Sequence, residues 1–222
     1  MVNFNENILT DNILLSVNNR GFNYGDALFE TLKVSHGKLL FWEDHYFRLM
    51  ASMRIMRMEI PMNFTMQFLE EQIQKLIVAK DYQNNALRVK LFVFRNEGGF
   101  YLPETNDISF LITASKIDAD FYLLPQGDYE VDLFKDFYVS PSLLSTLKTN
   151  NKAINVVGSI FAKENKLQNC LLLNTEKRVI EALNGNVFIL KNGIIKTPPL
   201  TDGCLKGIMR KQIIEIINEL PD

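Results

Sequence analysis

The chain has 222 residues, of which 47% are hydrophobic and 23% charged, and its formal net charge is -2. This length suffices for one large domain or two small ones with a buried core. The slightly negative charge disfavours binding to a nucleic-acid backbone. The sequence contains no run of about 18 apolar residues, so no transmembrane helix is predicted. The polar N-terminus lacks the apolar segment of a secretion signal, so secretion is not expected.

The two cysteines and two histidines disfavour a disulfide, a histidine-rich metal site and a Ser-His relay. Cys170 and Cys204 form no CxxC pair, so free thiols in a cytoplasmic protein are expected rather than a disulfide. His36 and His45 lie in unrelated contexts, which predicts neither a histidine-rich metal site nor a Ser-His relay.

The first half of the chain predicts an α+β unit, because helical and strand periodicities alternate along it. In chain order we expect a hairpin of strands at 28–34 and 38–42, helices at 43–58 and after an N-cap at Asn63, and strands at 86–94 and 107–114. The polar segment that follows predicts a division into a small domain, residues 1–116, and a larger one, residues 117–222.

The second half predicts a helix, several short strands and a final helix. In chain order these are a helix at 152–166, strands at 170–173, 178–181, 186–190 and 194–196, and a helix at 207–219. Gly193 breaks the last strand pair, and Pro198-Pro199 ends it. The whole chain is therefore expected to be α+β.

Two charged residues in the second half suggest chemistry. Lys148 lies among Ser, Thr and Asn, and a lysine forms a Schiff base only when it is neutral, which requires desolvation or a nearby cation. Glu181 ends an apolar strand, where a carboxylate can hold a proton on a ring nitrogen. Taken singly, each residue is equally explained as a surface charge.

Two further features suit an anion. Gly207 precedes the last helix and permits close approach of the backbone. The first amides of that helix, at Ile208 and Met209, have no intrahelical partner and carry the positive end of the helix dipole. Arg48 has a guanidinium suited to bidentate contact with a phosphate. The alternatives are a plain helix start and, for Arg48, an i,i+4 pair with Asp44.

Taken together, the motifs resemble those of the fold-type IV pyridoxal-phosphate enzymes, which include class IV aminotransferases and aminodeoxychorismate lyase. The segments that carry the resemblance follow in order: Asn19–Thr31, Asp44–Leu49 (H-x-x-R-L), Leu147–Asn151, Glu181–Phe188 (E-x(4)-N-x-F) and Thr197–Leu200 with Leu205–Arg210 (T-P-P-L…L-x-G-I-x-R). Their order is far more specific than any one of them.

The resemblance implies a two-domain fold like that of D-amino-acid aminotransferases, a homodimer, and pyridoxal 5'-phosphate as cofactor. By the resemblance, Lys148 is the Schiff-base lysine that also moves the proton at the substrate Cα. The other implied roles are Glu181 at the pyridinium nitrogen, Asn186 near the cofactor, Arg48 with the Ile208 and Met209 amides at the phosphate, and Tyr24, Phe29, Thr31 and Lys33 at the substrate.

The resemblance leaves the reaction open. An aminotransferase acting on a small amino acid and a 2-oxo acid is favoured over a lyase that releases p-aminobenzoate and pyruvate from aminodeoxychorismate. Glu30 stands where lyases often carry a small polar residue, whereas no tyrosine follows five residues after Lys148 as in branched-chain enzymes. Segment 97–103 lacks the R-x-H carboxylate trap of D-amino-acid enzymes. Because family members usually continue beyond this length, a truncated C-terminal part is expected, and a non-catalytic relative stays a third alternative.

Overall fold

The computed structural model describes residues 1–10, 13, 15–124 and 126–219. The chain divides into two compact units: the first is Met1–Leu124 with Thr149–Asn151, and the second is Pro125–Lys148 with Lys152–Asp222. Both units contain helices and strands, as predicted. The predicted domain division after residue 116 stays a prediction. Within the described residues, no helix is long and apolar enough to cross a membrane.

The first unit is built on one six-stranded antiparallel sheet in the order β2-β1-β6-β5-β3-β4. Its strands are β1 (Val2–Phe4), β2 (Asn7–Leu9), β3 (Ala27–Ser35), β4 (Lys38–Leu39), β5 (Leu87–Arg95) and β6 (Ile108–Lys116). The predicted hairpin at 35–37 is confirmed, but β4 is shorter than expected because helix α2 (Trp42–Ile55) begins three residues after Leu39.

Three helices accompany this sheet: α1 (Arg20–Tyr24), α2 and α3 (Met66–Ala79). The predicted N-cap at Asn63 is wrong. Thr65 caps α3, since its Oγ1 accepts a hydrogen bond from the Phe68 amide at 3.1 Å. Helix α2 also ends earlier than predicted, because Arg57 adopts a positive φ of 54° that does not continue a helix.

The two faces of this sheet differ in burial. Alternate residues of β3 and β5, such as Leu28, Leu32, Val89 and Leu91, are at most 2% exposed, and α2 and α3 contact β3, β6 and β1. We call the opposite side, which carries the intervening residues of β3, β5 and β6, the open face. Toward the middle of the strands its residues are partly or fully exposed, as the predicted alternation requires, whereas Ala27, Ser35 and Phe94 near the strand ends are buried.

The second unit contains a four-stranded sheet, a separate hairpin and two helices. Its elements are β7 (Val131–Val139), α4 (Ala153–Glu164), β8 (Asn169–Asn174), β9 (Val179–Ala182), β10 (Gly185–Asn186), β11 (Ile189–Lys191), β12 (Ile194–Lys196) and α5 (Ile208–Glu219). The sheet order is β10-β9-β8-β7, with β7 and β8 parallel. The sequence did not predict β7, an edge strand whose residues are mostly exposed.

The core of the second unit lies between α4 and this sheet. The buried residues that form it are Phe134, Ala162, Cys170, Leu172, Ile180 and Cys204. Both cysteines are free and buried. The strand predicted at 186–190 is divided, because β10 ends at Asn186 and β11 begins only at Ile189.

Candidate active site

A short turn, Leu205–Gly207, connects predicted site residues of the second unit, and we call it the hub turn. The Leu205 amide donates a hydrogen bond to Oε2 of Glu181 at 2.8 Å. The Asn186 side-chain nitrogen donates to the Leu205 carbonyl at 2.9 Å. Leu205 therefore holds Glu181 through its backbone N–H and Asn186 through its backbone carbonyl.

The hub turn also holds the segment that carries Lys148. The Lys206 amide donates to the Thr146 carbonyl at 3.2 Å, two residues before Lys148. Lys148 is partly buried, and its positive charge acts on Glu181. The predicted attachment lysine and the predicted ring-nitrogen carboxylate thus belong to one hydrogen-bonded arrangement within the second unit.

Helix α5 begins immediately after the hub turn, at Ile208. Ile208 is 8% exposed and Met209 is 40% exposed. Gly207 must lack a side chain, because a Cβ there would collide with Oδ1 of Asn186. The motif glycine is thereby explained by close packing against Asn186, and the first amides of α5 follow it directly, as an anion site at a helix start requires.

Glu181 is a partly buried carboxylate with a raised pKa. Burial raises the pKa, while the Leu205 amide and the positive charges of Lys152 and Lys148 oppose that rise. Lys152, the residue before α4, has a lowered pKa because of burial, offset in part by Glu181. Lys152 was not predicted as a site residue. The one feature in the sequence that could have indicated it is its position, four residues after Lys148 at the start of a predicted helix.

The residues directly after Lys148 belong to the first unit. Thr149 forms an antiparallel bridge with Leu28 of β3, and the Asn150 amide donates to the Ala27 carbonyl at 2.9 Å. The chain therefore adds a short segment to the edge of β3 one peptide bond after Lys148.

Arg48, predicted at the phosphate, lies on α2 with an 8% exposed side chain. Its Nε donates to Oε1 of Glu30 at 2.8 Å, and its Nη2 donates to Oε2 of the same carboxylate. His45 Nδ1 lies 2.7 Å from Oε2 of Glu30. Burial would raise the pKa of Glu30, but hydrogen bonds and charge from Arg48 and His45 outweigh it and lower that pKa.

Three of the four predicted substrate residues lie on the open face of the first sheet. Phe29, Thr31 and Lys33 alternate along β3 and are partly exposed. Tyr24 lies elsewhere, on α1, where its ring centroid is 5.7 Å from that of Tyr101. The candidate substrate surface is therefore the open face, which carries Phe29, Thr31 and Lys33 but not Tyr24.

A comparison with protein families settles which family this chain represents. The family model described as amino-transferase class IV matches residues 27–221. The chain belongs to the class IV aminotransferase family. It is therefore an enzyme of a family whose characterised members include aminotransferases, in agreement with the resemblance seen in the sequence motifs.

Relatives within the family carry more than one activity in their names. The chain is 24% identical over 208 residues to the D-alanine aminotransferase of Staphylococcus epidermidis, covering 90% of this chain and 68% of that protein. It is 28% identical over 208 residues to a putative branched-chain-amino-acid aminotransferase of Methanocaldococcus jannaschii, covering 92% and 70%.

Solved structures confirm the predicted fold class. The branched-chain aminotransferase of Thermoproteus uzoniensis with norvaline superposes with a TM-score of 0.86 at 22% identity, over 98% of this chain and 74% of that one. The pyridoxal-phosphate form of the Thermobaculum terrenum enzyme gives 0.83 at 21%, over 98% and 73%. A putative 4-amino-4-deoxychorismate lyase from Legionella pneumophila gives 0.80 at 24%, over 94% and 75%.

Proposed function

We propose that this enzyme is a pyridoxal-phosphate-dependent aminotransferase that moves an amino group between a small amino acid and a 2-oxo acid, with Lys148 as the amine that binds the cofactor. The observation that carries the proposal is the hub turn. Two of its residues, Leu205 and Lys206, hydrogen-bond the Glu181 carboxylate, the Asn186 side-chain amide and the segment before Lys148, directly before the start of α5.

The chemistry of these residues suits the cofactor. Among the described residues, the Leu205 amide is the one hydrogen-bond donor to Glu181, and it donates to Oε2. The other oxygen, Oε1, can therefore accept a hydrogen bond from a ring nitrogen. The amides that open α5 suit a phosphate, and the absent side chain of Gly207 leaves room for close approach. When bound, pyridoxal phosphate supplies an electron sink for charge that develops at the substrate Cα.

The roles proposed for the protein groups follow from their charges. Glu181 accepts the ring-nitrogen hydrogen bond as a carboxylate, and the positive charges of Lys152 and Lys148 favour that ionised form against the effect of burial. Lys148, once its amine is neutral, takes and returns the proton at the substrate Cα. Asn186 holds the hub turn in place.

Arg48 is proposed as a phosphate contact on the strength of the family resemblance. Its bidentate pair with Glu30 fixes the plane of the guanidinium. Glu30 is then a positioning residue for Arg48. Its contribution is the orientation of a cation rather than contact with the reacting atoms.

The test replaces Lys148 and compares it with a lysine outside the candidate site. Lys148→Ala is expected to abolish amino transfer from a panel of amino acids to 2-oxo acids, with an unchanged circular dichroism spectrum. Lys163→Ala, at an exposed lysine of the following helix α4, serves as the control and is expected to retain transfer. Normal turnover by the Lys148→Ala protein would refute the proposal.

The second candidate is aminodeoxychorismate lyase. It is favoured by the stretch after Lys148, which has no tyrosine five residues on, and by the fold shared with the Legionella protein. Both reactions begin with proton removal at Cα and differ in where protons return. Incubation with aminodeoxychorismate, followed by assay of p-aminobenzoate and pyruvate, separates the lyase from an enzyme that only exchanges amino groups.

We further propose a cytoplasmic homodimer. The homodimer is supported by the family resemblance and by the exposed apolar tip of residues 100–102, where each side chain is at least 83% exposed. The cytoplasmic location is supported by the free buried thiols of Cys170 and Cys204. Light scattering coupled to size exclusion tests the assembly, and a monomer at micromolar concentration would contradict it.

A further inference from the structure

One turn of the second unit contains an asparagine followed by a glycine, Asn184-Gly185, and it lies between two residues of the candidate site. The turn joins β9, which carries Glu181, to β10, which carries Asn186. Asn184 and Gly185 are both exposed, whereas Glu181 and Asn186 are partly buried. A chemical change in this turn therefore acts on residues that the hub turn contacts.

The side chain of Asn169, a residue that is 4% exposed, holds the carboxamide of Asn184. Its nitrogen donates hydrogen bonds to Oδ1 of Asn184 at 2.8 Å and to the Tyr129 hydroxyl at 3.1 Å. Its oxygen accepts hydrogen bonds from the backbone amides of Cys170, at 2.8 Å, and Leu183, at 3.2 Å. These four bonds use every donor and acceptor position of the Asn169 carboxamide. Its orientation is therefore fixed, with the nitrogen facing Asn184.

This arrangement activates the carboxamide carbon of Asn184. A donor on Oδ1 stabilises the negative charge that develops on that oxygen when a nucleophile attacks Cγ, as in an oxyanion hole. The nearest nucleophile along the chain is the backbone nitrogen of Gly185, and attack within one chain needs no second molecule. Gly185 has no side chain to obstruct the approach, and a Cβ placed there would have no heavy atom within 4 Å. The turn therefore has room for a ring to close.

We propose that Asn184 is a site of spontaneous deamidation, which converts the turn to an aspartyl or isoaspartyl form. The Gly185 nitrogen forms a bond to Cγ of Asn184 and loses its proton to solvent, while Nδ2 takes up a proton and leaves as ammonia. The product is a succinimide. Water then breaks the bond from that nitrogen to Cγ, giving aspartate, or to the backbone carbonyl carbon, giving isoaspartate. Water is the only other reactant, and nothing is oxidised or reduced.

The chain contains a matched control for this site. Asn192-Gly193 is the same dipeptide, and it is also exposed and also lies in a turn between two strands, β11 and β12. Within the part of the chain that the structure describes, no donor contacts the carboxamide oxygen of Asn192. The two sites therefore share the local sequence that favours ring closure and differ in the donor that activates the carbon.

The isoaspartyl product should be the damaging one for the candidate site. Its main chain is longer by a single carbon atom between β9 and β10, so the pairing of Glu181 with Asn186 loses its register. The hydrogen bond from Asn186 to the Leu205 carbonyl is then displaced. The aspartyl product keeps the chain length and adds only a charge. This consequence rests on the proposed function, whereas the modification itself does not.

The experiment follows both asparagines in one sample. Folded protein and protein unfolded in urea are incubated at neutral pH, digested and mapped by mass spectrometry, with aspartyl and isoaspartyl peptides separated by chromatography. In the folded protein we expect Asn184 to be modified about tenfold faster than Asn192, a smaller factor than an oxyanion-hole donor contributes in an enzyme. In urea the two rates should be similar, and that of Asn184 should be lower than in the folded protein, because only the local sequence remains.

Two variants separate the causes. Gly185→Ala places a methyl group beside the attacking nitrogen, so it should slow the modification of Asn184 and leave that of Asn192 unchanged. Asn169→Asp keeps an oxygen for the two backbone amides but removes the donor, so it should lower the folded rate of Asn184 to that of Asn192. Circular dichroism establishes that each variant is folded. Should Asn169→Asp not fold, the wild-type rates with and without urea and the Gly185→Ala rate decide.

Three results would overturn the inference: equal rates for Asn184 and Asn192 in the folded protein, a lower rate for Asn184 folded than in urea, or an unchanged rate of Asn184 in a folded variant. None of them involves pyridoxal phosphate, so they are distinguishable from a failure of Lys148 to attach the cofactor.

The effect on the candidate site is measured on the separated products. The isoaspartyl form should lose thermal stability and affinity for pyridoxal phosphate, while Asn184→Asp, which matches the aspartyl form, should keep both. Equal stability and affinity of the isoaspartyl and unmodified forms would show that the turn does not control the site.

Discussion

Two glutamates, the buried Glu30 in the first unit and the partly buried Glu181 in the second, differ in the direction of their pKa shifts. Glu30 has a lowered pKa because Arg48 and His45 contact it directly and outweigh its burial. Glu181 has a raised pKa because burial outweighs one amide hydrogen bond and the positive charges of Lys152 and Lys148.

This difference separates a structural carboxylate from one prepared for a ligand. A buried charge with partners in contact is already compensated, so its removal costs stability. A partly buried carboxylate with one amide partner has not recovered the free energy that it lost on leaving water. A ligand that donates a hydrogen bond to its second oxygen therefore binds more favourably. The predictions below test that distinction at each glutamate and at the turn that holds the second one.

The largest expected effect is that of Glu30→Gln on stability. The change leaves the buried guanidinium of Arg48 without its counter-charge, so the free energy of unfolding should fall by about 3 kcal/mol. Urea denaturation measures it. Glu71→Gln, at an exposed site on α3, is the control and should change stability by less than about 0.5 kcal/mol.

The same variant should alter the acid dependence of stability. Because the folded pKa of Glu30 lies below its ordinary value of 4.5, its stabilising contribution is present above that value and is lost as the pH falls through the folded pKa. The stability difference between wild type and Glu30→Gln should therefore shrink in acid. A difference that is constant from neutral pH down to the acid transition would contradict the assigned ion pair.

A smaller effect is expected for Gly207→Ala. The added methyl collides with the Asn186 side chain, so the hub turn must shift, at a cost of about 1–3 kcal/mol. Affinity for pyridoxal phosphate should fall in parallel. Gly185→Ala is the matched control, since a Cβ there meets nothing within 4 Å. Equal thermal stability of the two variants would show that Gly207 is not needed for packing.

The smallest effect, and one of opposite sign, is expected for Glu181→Gln in the cofactor-free protein. Because the folded pKa of Glu181 is raised, its ionised form costs stability at neutral pH, and that cost disappears as the pH falls through the folded pKa. Glutamine keeps an acceptor for the Leu205 amide without the charge. The melting temperature at neutral pH should rise by about 1–3 °C.

The control for this variant is Glu176→Gln, at a side chain that is 60% exposed. It should leave the melting temperature unchanged. A fall in the melting temperature of Glu181→Gln would mean that Glu181 is stabilised by contacts, as Glu30 is, and the comparison between the two glutamates would fail.

The local alternation of apolar and polar residues was sufficient to predict most of the strands and helices. Strand β5 follows from the alternation of Leu87, Val89, Leu91 and Val93, all fully buried. Strand β7 could not be predicted in the same way, because an exposed edge strand loses the contrast between an inner and an outer face. The cap of α3 was misplaced by two residues, since Asn63 and Thr65 are both good caps.

In the candidate site, too, residues in short motifs could be predicted from the sequence, whereas contacts between residues far apart in the chain could not. Lys148, Glu181 and Gly207 stand in short motifs whose order the sequence displays. The contact between Glu30 and Arg48 links residues 18 positions apart on different elements. This contact forms only when the sheet and its helices are assembled.

The most direct test of the account is to locate the cofactor on the chain. The purified protein is incubated with pyridoxal phosphate, reduced with borohydride, digested and mapped by mass spectrometry. We expect one phosphopyridoxyl group per chain, on Lys148, and none in the Lys148→Ala protein. A label on Lys152, or one spread over surface lysines with no preference for Lys148, would contradict it.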